Sequence, residues 1–395
     1  LAVPEGRFEA AKTLFHYAVL TFSITIITTP FMAIIIAYED MKFYAYISIF
    51  EALMKLGVVF LLQYIAWDKL ELYGLLMLCV SIVNAVLYIG TCLIRYEECQ
   101  FRKVYWDSAL FREIVNFTGW TIFGQISTIF RTHAITILLN QSFSPAIVAA
   151  RVLSVQVATQ VNIFASNFSI SLYPPIIKSY AANERENMFG LITGGSKITF
   201  FLFMGLSPSN DTRDESDIGS LVNQGSSIRG TFSQLALIEA LIVSVSMPLT
   251  AAARAPGKMK VYELVLGTIQ IGIFIIAWIV VSRGAPAYSV FVVAIFANIL
   301  MFWVRLFLVN RLIGFPIGAF LKYTVLPVLT IVLVTAVPIP MIKQILPEGV
   351  YWSTLMIFIS LVASTIAMYF IGLDKIWRMK VISMIHSRLL KLKSI

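Results

Sequence analysis

The residues able to do chemistry in this chain are the few charged and polar side chains that interrupt long apolar runs. Arg151 opens one such series. At 100° per residue, Ser154, Thr159, Asn162, Ser166 and Ser169 fall with it within a sector of about 140° on one helix face. A polar stripe with one arginine suits a helix that faces a watery cavity. Gln156, Gln160 and Asn167 cluster on the opposite side, as polar side chains do when they hydrogen-bond helices together. Arg131, close to His133, supplies a second guanidinium. Its planar fork matches the oxygens of a phosphate, so Arg151 and Arg131 are candidate contacts for a phosphate-bearing head group. Snorkelling to an interface is the alternative for Arg131.

Glu51 and Lys55 lie four apart, with the glutamate first. They form either a self-neutralising pair or the charged lining of a cavity. Lys197 and Glu239 complete the set of candidate cavity charges. An ionised side chain at the centre of a bilayer costs about 2.5–3.5 kcal/mol, so each requires a reason. Nothing in the sequence forms an enzyme constellation. There is no P-loop, His16, His133 and His386 are scattered, and no metal-ligand spacing occurs. The expectation is a non-enzyme without catalytic residues, metal or cofactor, and with no nucleic-acid partner.

The elements that must position these residues are dictated by composition. Of 395 residues, 59% are hydrophobic and 13% charged, with a mean hydropathy of +0.85. Soluble domains are about 45–50% apolar and about 25% charged, so soluble globules of this size are excluded. Three cysteines are too few for a disulfide framework. Continuous apolar runs of about 20 residues argue membrane helices rather than a barrel. Eleven are predicted, at 13–37, 45–67, 72–94, 113–139, 146–172, 188–206, 232–253, 261–282, 287–309, 320–339 and 351–372. The span 188–206, only about 19 residues long with Lys197 inside it, is the weakest of them. A basic amphipathic tail, 373–395, follows.

If all eleven span, 19 of the 30 Lys and Arg residues fall on one side, 7 on the other and 4 within spans. That bias makes the richer side, with the C-terminus, cytoplasmic. A shift of 218 residues aligns Pro30–Tyr44 with Pro248–Tyr262, with six of fifteen positions identical, including Pro30/Pro248, Met41/Met259 and Tyr44/Tyr262. The offset is six helices, an even number, so the repeats are parallel, one of the standard transporter plans. The expected fold is an all-α polytopic membrane protein of two parallel six-helix repeats plus two C-terminal helices. The first repeat lacks its first three helices, so the sequence reads as an N-terminally truncated piece, expected to be inactive as it stands. Residues 1–94 are then the rest of the N-terminal lobe, 95–112 a cytoplasmic linker and 113–309 the C-terminal lobe. Residues 310–372 are an extra helix pair and 373–395 the tail. Pro30 and Pro248 are expected to bend their helices.

Several stretches in order resemble the polysaccharide and lipopolysaccharide O-antigen flippases of Bacteroides-type bacteria. These belong to the multidrug/oligosaccharidyl-lipid/polysaccharide exporter superfamily. The stretches are Val3-Pro4-Glu5, Ala45–Glu51, Phe117-Thr118-Gly119-Trp120 with Phe123-Gly124, Ala149-Ala150-Arg151 leading to Val155-Gln156-Val157, Ser166-Asn167-Phe168, and Lys178–Ala182. The resemblance implies transport of an undecaprenyl-diphosphate-linked oligosaccharide across the bacterial inner membrane, by alternating access of two lobes. Its implied partners are the lipid-linked oligosaccharide, the bilayer, and a polysaccharide polymerase with other export components. An ion-coupled multidrug antiporter of the same superfamily would favour carboxylates in its cavity. A membrane glycosyltransferase or polymerase would need a large outer loop. The stretch 207–231 departs from the resemblance: it is polar and Ser/Gly-rich, and is expected to be a disordered loop.

Overall fold

The computed structural model describes residues 8–65, 67–99, 106–206, 225–336, 365–366 and 368–372. Every regular element among them is helical. Among the described residues eight helices are long and apolar enough to cross a bilayer, as in an all-α multi-pass membrane protein. Internal contacts divide it into two units, Leu1–Asp107 and Ser108–Ile395, with the boundary inside 95–112.

The first unit holds α1 (Phe8–Ala37), α2 (Met41–Tyr64) and α3 (Lys69–Arg95), followed by a short 3-10 turn, Glu97–Cys99. Helix α3 starts at Asp68, whose carboxylate accepts from the backbone N–H of Leu70 at 2.9 Å, satisfying a donor the helix itself cannot. Helices α1 and α2 both pack on α3, around Ile35, Ile47, Tyr88 and Cys92. Beyond the helix ends, Arg95 pairs with Asp40 at 2.6 Å, and Tyr38 stacks on Tyr96 at 4.4 Å. The Tyr38 hydroxyl donates to Glu98. That bond holds the Glu98 carboxyl below its ordinary range and raises the Tyr38 phenol. It therefore persists from the carboxylate range up to the tyrosine range, and is lost outside either end.

The second unit comprises α4 (Ser108–Ser142), α5 (Pro145–Ala181), α6 (Arg185–Leu206), α7 (Gly225–Val245), α8 (Met247–Arg254), α9 (Lys260–Ser282) and α10 (Ser289–Ile313). A further helix begins as α11 (Ile317–Phe320), passes through a π turn (Leu321–Val325) and continues as α12 (Leu326–Ala336). Helix α6 is not among the eight apolar candidates; its Lys197 is buried, 3% exposed.

Several boundaries differ from expectation. Helices α4 and α5 outrun their apolar spans at both ends, because hydropathy marks only the part of a helix that must avoid water. Helix α5 runs through Pro174 and Pro175, and α1 through Pro30. Pro248 does break its helix: the chain interrupts at Ser246, and α8 restarts with proline in its first turn, where no N–H is needed. The polar stretch 207–231 is not loop throughout, since α7 begins at Gly225. Propagating an existing helix is cheaper than nucleating one, so the apolar run after Thr231 carries those polar residues with it. Residues 207–224 and most of 351–395 lie outside the described residues; within 351–372, Met368–Gly372 forms a π turn.

Close approach of α4 and α9 rests on two glycines. A Cβ on Gly267 would meet Phe123 at 2.8 Å and the Ser127 hydroxyl at 3.0 Å. A Cβ on Gly124 would run into the carboxylate of Glu263, which is buried, 9% exposed. Small residues at such crossings let membrane helices gain dispersion contacts that lipid would otherwise supply. Gly267→Val is expected to force α9 off α4 and cost about 1–3 kcal/mol, as overpacking does. Thermal unfolding in detergent checks this; an unchanged midpoint would show that the helices part freely.

Candidate functional site

Four helices of the second unit, α4, α5, α7 and α10, enclose a cavity of about 180 Å³. Helix α5 contributes Arg151, Val155, Ala158, Thr159 and Asn162 to its lining. These positions repeat at helical spacing along one face. Helix α4 adds Arg131 and Thr132, α7 adds Ala236, Glu239 and Val243, and α10 adds Val290, Phe291 and Ala294.

Arg151 sits in the second turn of α5 and is 8% exposed. Ser154 and Ala158, on the same side of the helix, are small and buried with it. Its Nη1 donates to the Thr136 hydroxyl at 2.8 Å. Thr136 can accept because its own proton goes to the Thr132 carbonyl, at 2.9 Å. The guanidinium carbon stands 6.0 Å from the centroid of the Phe291 ring, at the outer reach of a cation–π contact.

Arg131 is held differently. Its Nη1 pairs with Glu239 Oε1 at 3.0 Å. The same oxygen accepts from Asn298 Nδ2, also at 3.0 Å. The cavity thus gathers two guanidinium groups and one carboxylate, and the carboxylate is already paired. Three buried polar atoms here have no partner: Arg131 Nε, Arg151 Nε and Asn162 Oδ1. A buried donor left unmade costs about 1–3 kcal/mol, more when charged. An anion entering the cavity would satisfy two of these three, both on positive groups.

The structure brings Arg151, Arg131, Thr159, Asn162 and Glu239 to one cavity. Ser154 lies on the same face but is spent on helix packing, its hydroxyl donating to Ala150 O at 2.8 Å and lying 3.0 Å from that of Ser233 on α7. Ser166 does not line the cavity. Residues 151–162 cover about 16 Å of helix axis at 1.5 Å per residue, and Ser166 lies another turn beyond. Gln156, Gln160 and Asn167 are exposed rather than packed between helices. Lys197 lines neither this cavity nor the one in the first unit.

Glu51 and Lys55 pair at 2.6 Å and line a separate cavity in the first unit. The two side chains thus form an ion pair on the wall of that cavity. Sequence reasoning passed over Thr132, Thr136, Phe291, Asn298 and Glu263. The threonines at 128, 132 and 136 do carry a legible signal, an i, i+4 ladder. Phe291 and Asn298 carry none, because an aromatic or a single amide in an apolar helix is ordinary.

No protein-family model, curated protein or solved structure matches the chain.

Proposed function

We propose that this protein is a flippase that moves an undecaprenyl-diphosphate-linked oligosaccharide from the inner to the outer leaflet of a bacterial inner membrane, by alternating access and without catalytic chemistry or a cofactor. The observation that carries the reading is the meeting of Arg131 and Arg151, from two different helices, in a cavity of an otherwise apolar bundle, each with a buried Nε free. A diphosphate supplies several charged acceptor oxygens, which guanidinium forks bind well. The surrounding apolar helices suit a polyprenyl chain. A cation-transporting antiporter would need an unpaired carboxylate here, whereas Glu239 is paired with Arg131.

A parallel repeat, which transporters of this kind use, is supported by local geometry. Glu39 and Gly257, 218 residues apart, both adopt left-handed backbone, at φ of 60° and 72°. In each turn the left-handed residue donates to the carbonyl three positions back, Glu39 to Ile36 and Gly257 to Arg254, both at 3.0 Å. In each, the methionine two positions on donates to it: Met41 to Glu39 at 2.7 Å and Met259 to Gly257 at 3.2 Å. The α5–α6 turn at Asn183, φ 58°, has the same form, so the turn counts toward a repeat only together with the shared residues. In the first unit α1 and α2 pack on α3; in the second, α7, α8 and α9 pack on α10. These are the same positions in the repeat. The cytoplasmic C-terminus, the eleven-helix count and a polymerase as partner belong to the same proposal.

The test is reconstitution of the full gene product into liposomes loaded with a lipid-diphosphate-linked oligosaccharide. Glycan reaching a lectin outside should appear faster than from protein-free vesicles; equal rates would overturn the reading. Reporter fusions after Ile395 and within 207–224 should report opposite sides of the membrane, and a shared side would remove one span from the repeat.

A further inference from the structure

The α8–α9 end of the second unit gathers a second set of buried charges, none of which lines the cavity of Arg131 and Arg151. We infer that it is an anion site for a single phosphate group, carried by a phospholipid or free in solution. The inference does not depend on what the protein transports.

Its centre is Glu263, in the first turn of α9 and 9% exposed. The charges acting on this carboxylate are those of Arg254, in the last turn of α8, and Arg305, on α10. Helices α8 and α9 both pack on α10, which brings the three together. The carboxylate lies against the backbone of α4 at Gly124, where a Cβ would collide with it. It bonds to neither arginine Nε: both Nε atoms are buried and without a partner. A buried donor on a charged group is costly to leave unmade, so these two call for an acceptor.

Charge decides what that acceptor is. Arg254, Arg305 and Glu263 together carry one net positive charge. Lys258 and Lys260, both exposed, add two more where α8 turns into α9. Glu113 of α4, close to Gly257, takes one back. A metal cation would meet two guanidinium groups. A singly charged phosphate brings the trio to neutrality. Its tetrahedral oxygens accept from forks on two helices at once, where one fork fills a planar carboxylate.

The position suits the head-group layer of a membrane. Arg254 ends one helix and Lys260 opens the next. The Lys260 ammonium stands 5.4 Å from the centroid of the Trp120 ring, whose indole N–H donates to Asn116 at 3.1 Å. Tryptophan collects at membrane interfaces, and basic pockets between membrane helices hold lipid phosphates.

The test uses the full gene product in a maltoside detergent, which carries no phosphate. Thermophoresis measures affinity for inorganic phosphate and for phosphatidylglycerol separately. The variants are Glu263→Gln, Arg254→Gln/Glu263→Gln/Arg305→Gln, and Arg151→Ala. The triple variant strands no charge of the trio, and its melting temperature reports on packing. At least one probe should bind, with affinity at least tenfold lower in the triple variant, several-fold higher in Glu263→Gln and unchanged in Arg151→Ala. Binding of phosphatidylglycerol alone marks a head-group site, and equal binding of both probes a site for free phosphate. Binding of neither overturns the inference. So does unchanged affinity in the triple variant, which would make the charges a structural strut. A loss in Arg151→Ala equal to that in the triple variant also overturns it, by placing the ligand in the other cavity. Where the triple variant does not fold, Glu263→Gln decides: no gain in affinity overturns the site.

Discussion

Arg151→Ala should weaken binding of inorganic diphosphate by about 10- to 100-fold and abolish glycan export by the full gene product, with membrane abundance nearly unchanged. A hydrogen bond to a charged group contributes about 1.5–3 kcal/mol, and 1.4 kcal/mol is tenfold. Abundance should hold because Arg151 bonds to a neutral hydroxyl, that of Thr136. Its removal leaves no buried carboxylate stranded. Arg151→Lys should recover part of the activity. An ammonium keeps the charge but loses the planar fork and its contact with Phe291. Calorimetry on nanodisc protein, and surface polysaccharide normalised to protein level, are the measurements. Normal export by Arg151→Ala at normal abundance would eliminate it as a head-group contact.

Glu239→Gln should act in the opposite direction and tighten diphosphate binding about tenfold or more. The carboxylate shares Oε1 between Arg131 and Asn298, so in the ligand-free cavity it stands as a tethered counter-anion. An incoming diphosphate competes with it for Arg131. Glutamine keeps an acceptor for both donors but removes the charge, leaving the two guanidinium groups uncompensated. At an effective dielectric of about 20, a unit charge several ångströms away is worth on the order of 1–4 kcal/mol, and partial exposure of the pair reduces that. Tighter binding should come with slower release, so export falls although affinity rises. Arg131→Ala should do something else again. It strands Glu239, lowers abundance, and is rescued by pairing it with Glu239→Gln. If Glu239→Gln weakened diphosphate binding instead, Glu239 would be a strut that positions Arg131, and the counter-anion role would fall.

The amino-acid sequence alone specifies the all-helical membrane class, most helix positions and the face of α5. A bilayer requires long unbroken apolar runs, and helical period alone assigns Arg151, Thr159 and Asn162 to one side. It also paired Glu51 with Lys55, because an i, i+4 contact is local. It could not set how far along that face the cavity extends, so Ser166 was grouped with residues one turn away from it, and Ser154 with a cavity when its partner is Ser233. Nor could it tell which arginine takes Glu239. That choice lies between residues 108 apart in Arg131 and 88 apart in Arg151, and only the packing of α4, α5, α7 and α10 sets it. The tertiary structure gave the carboxylate to Arg131 and left Arg151 with a threonine and an aromatic face. Charge pairing across helices depends on distance in space, which no spacing along the chain encodes.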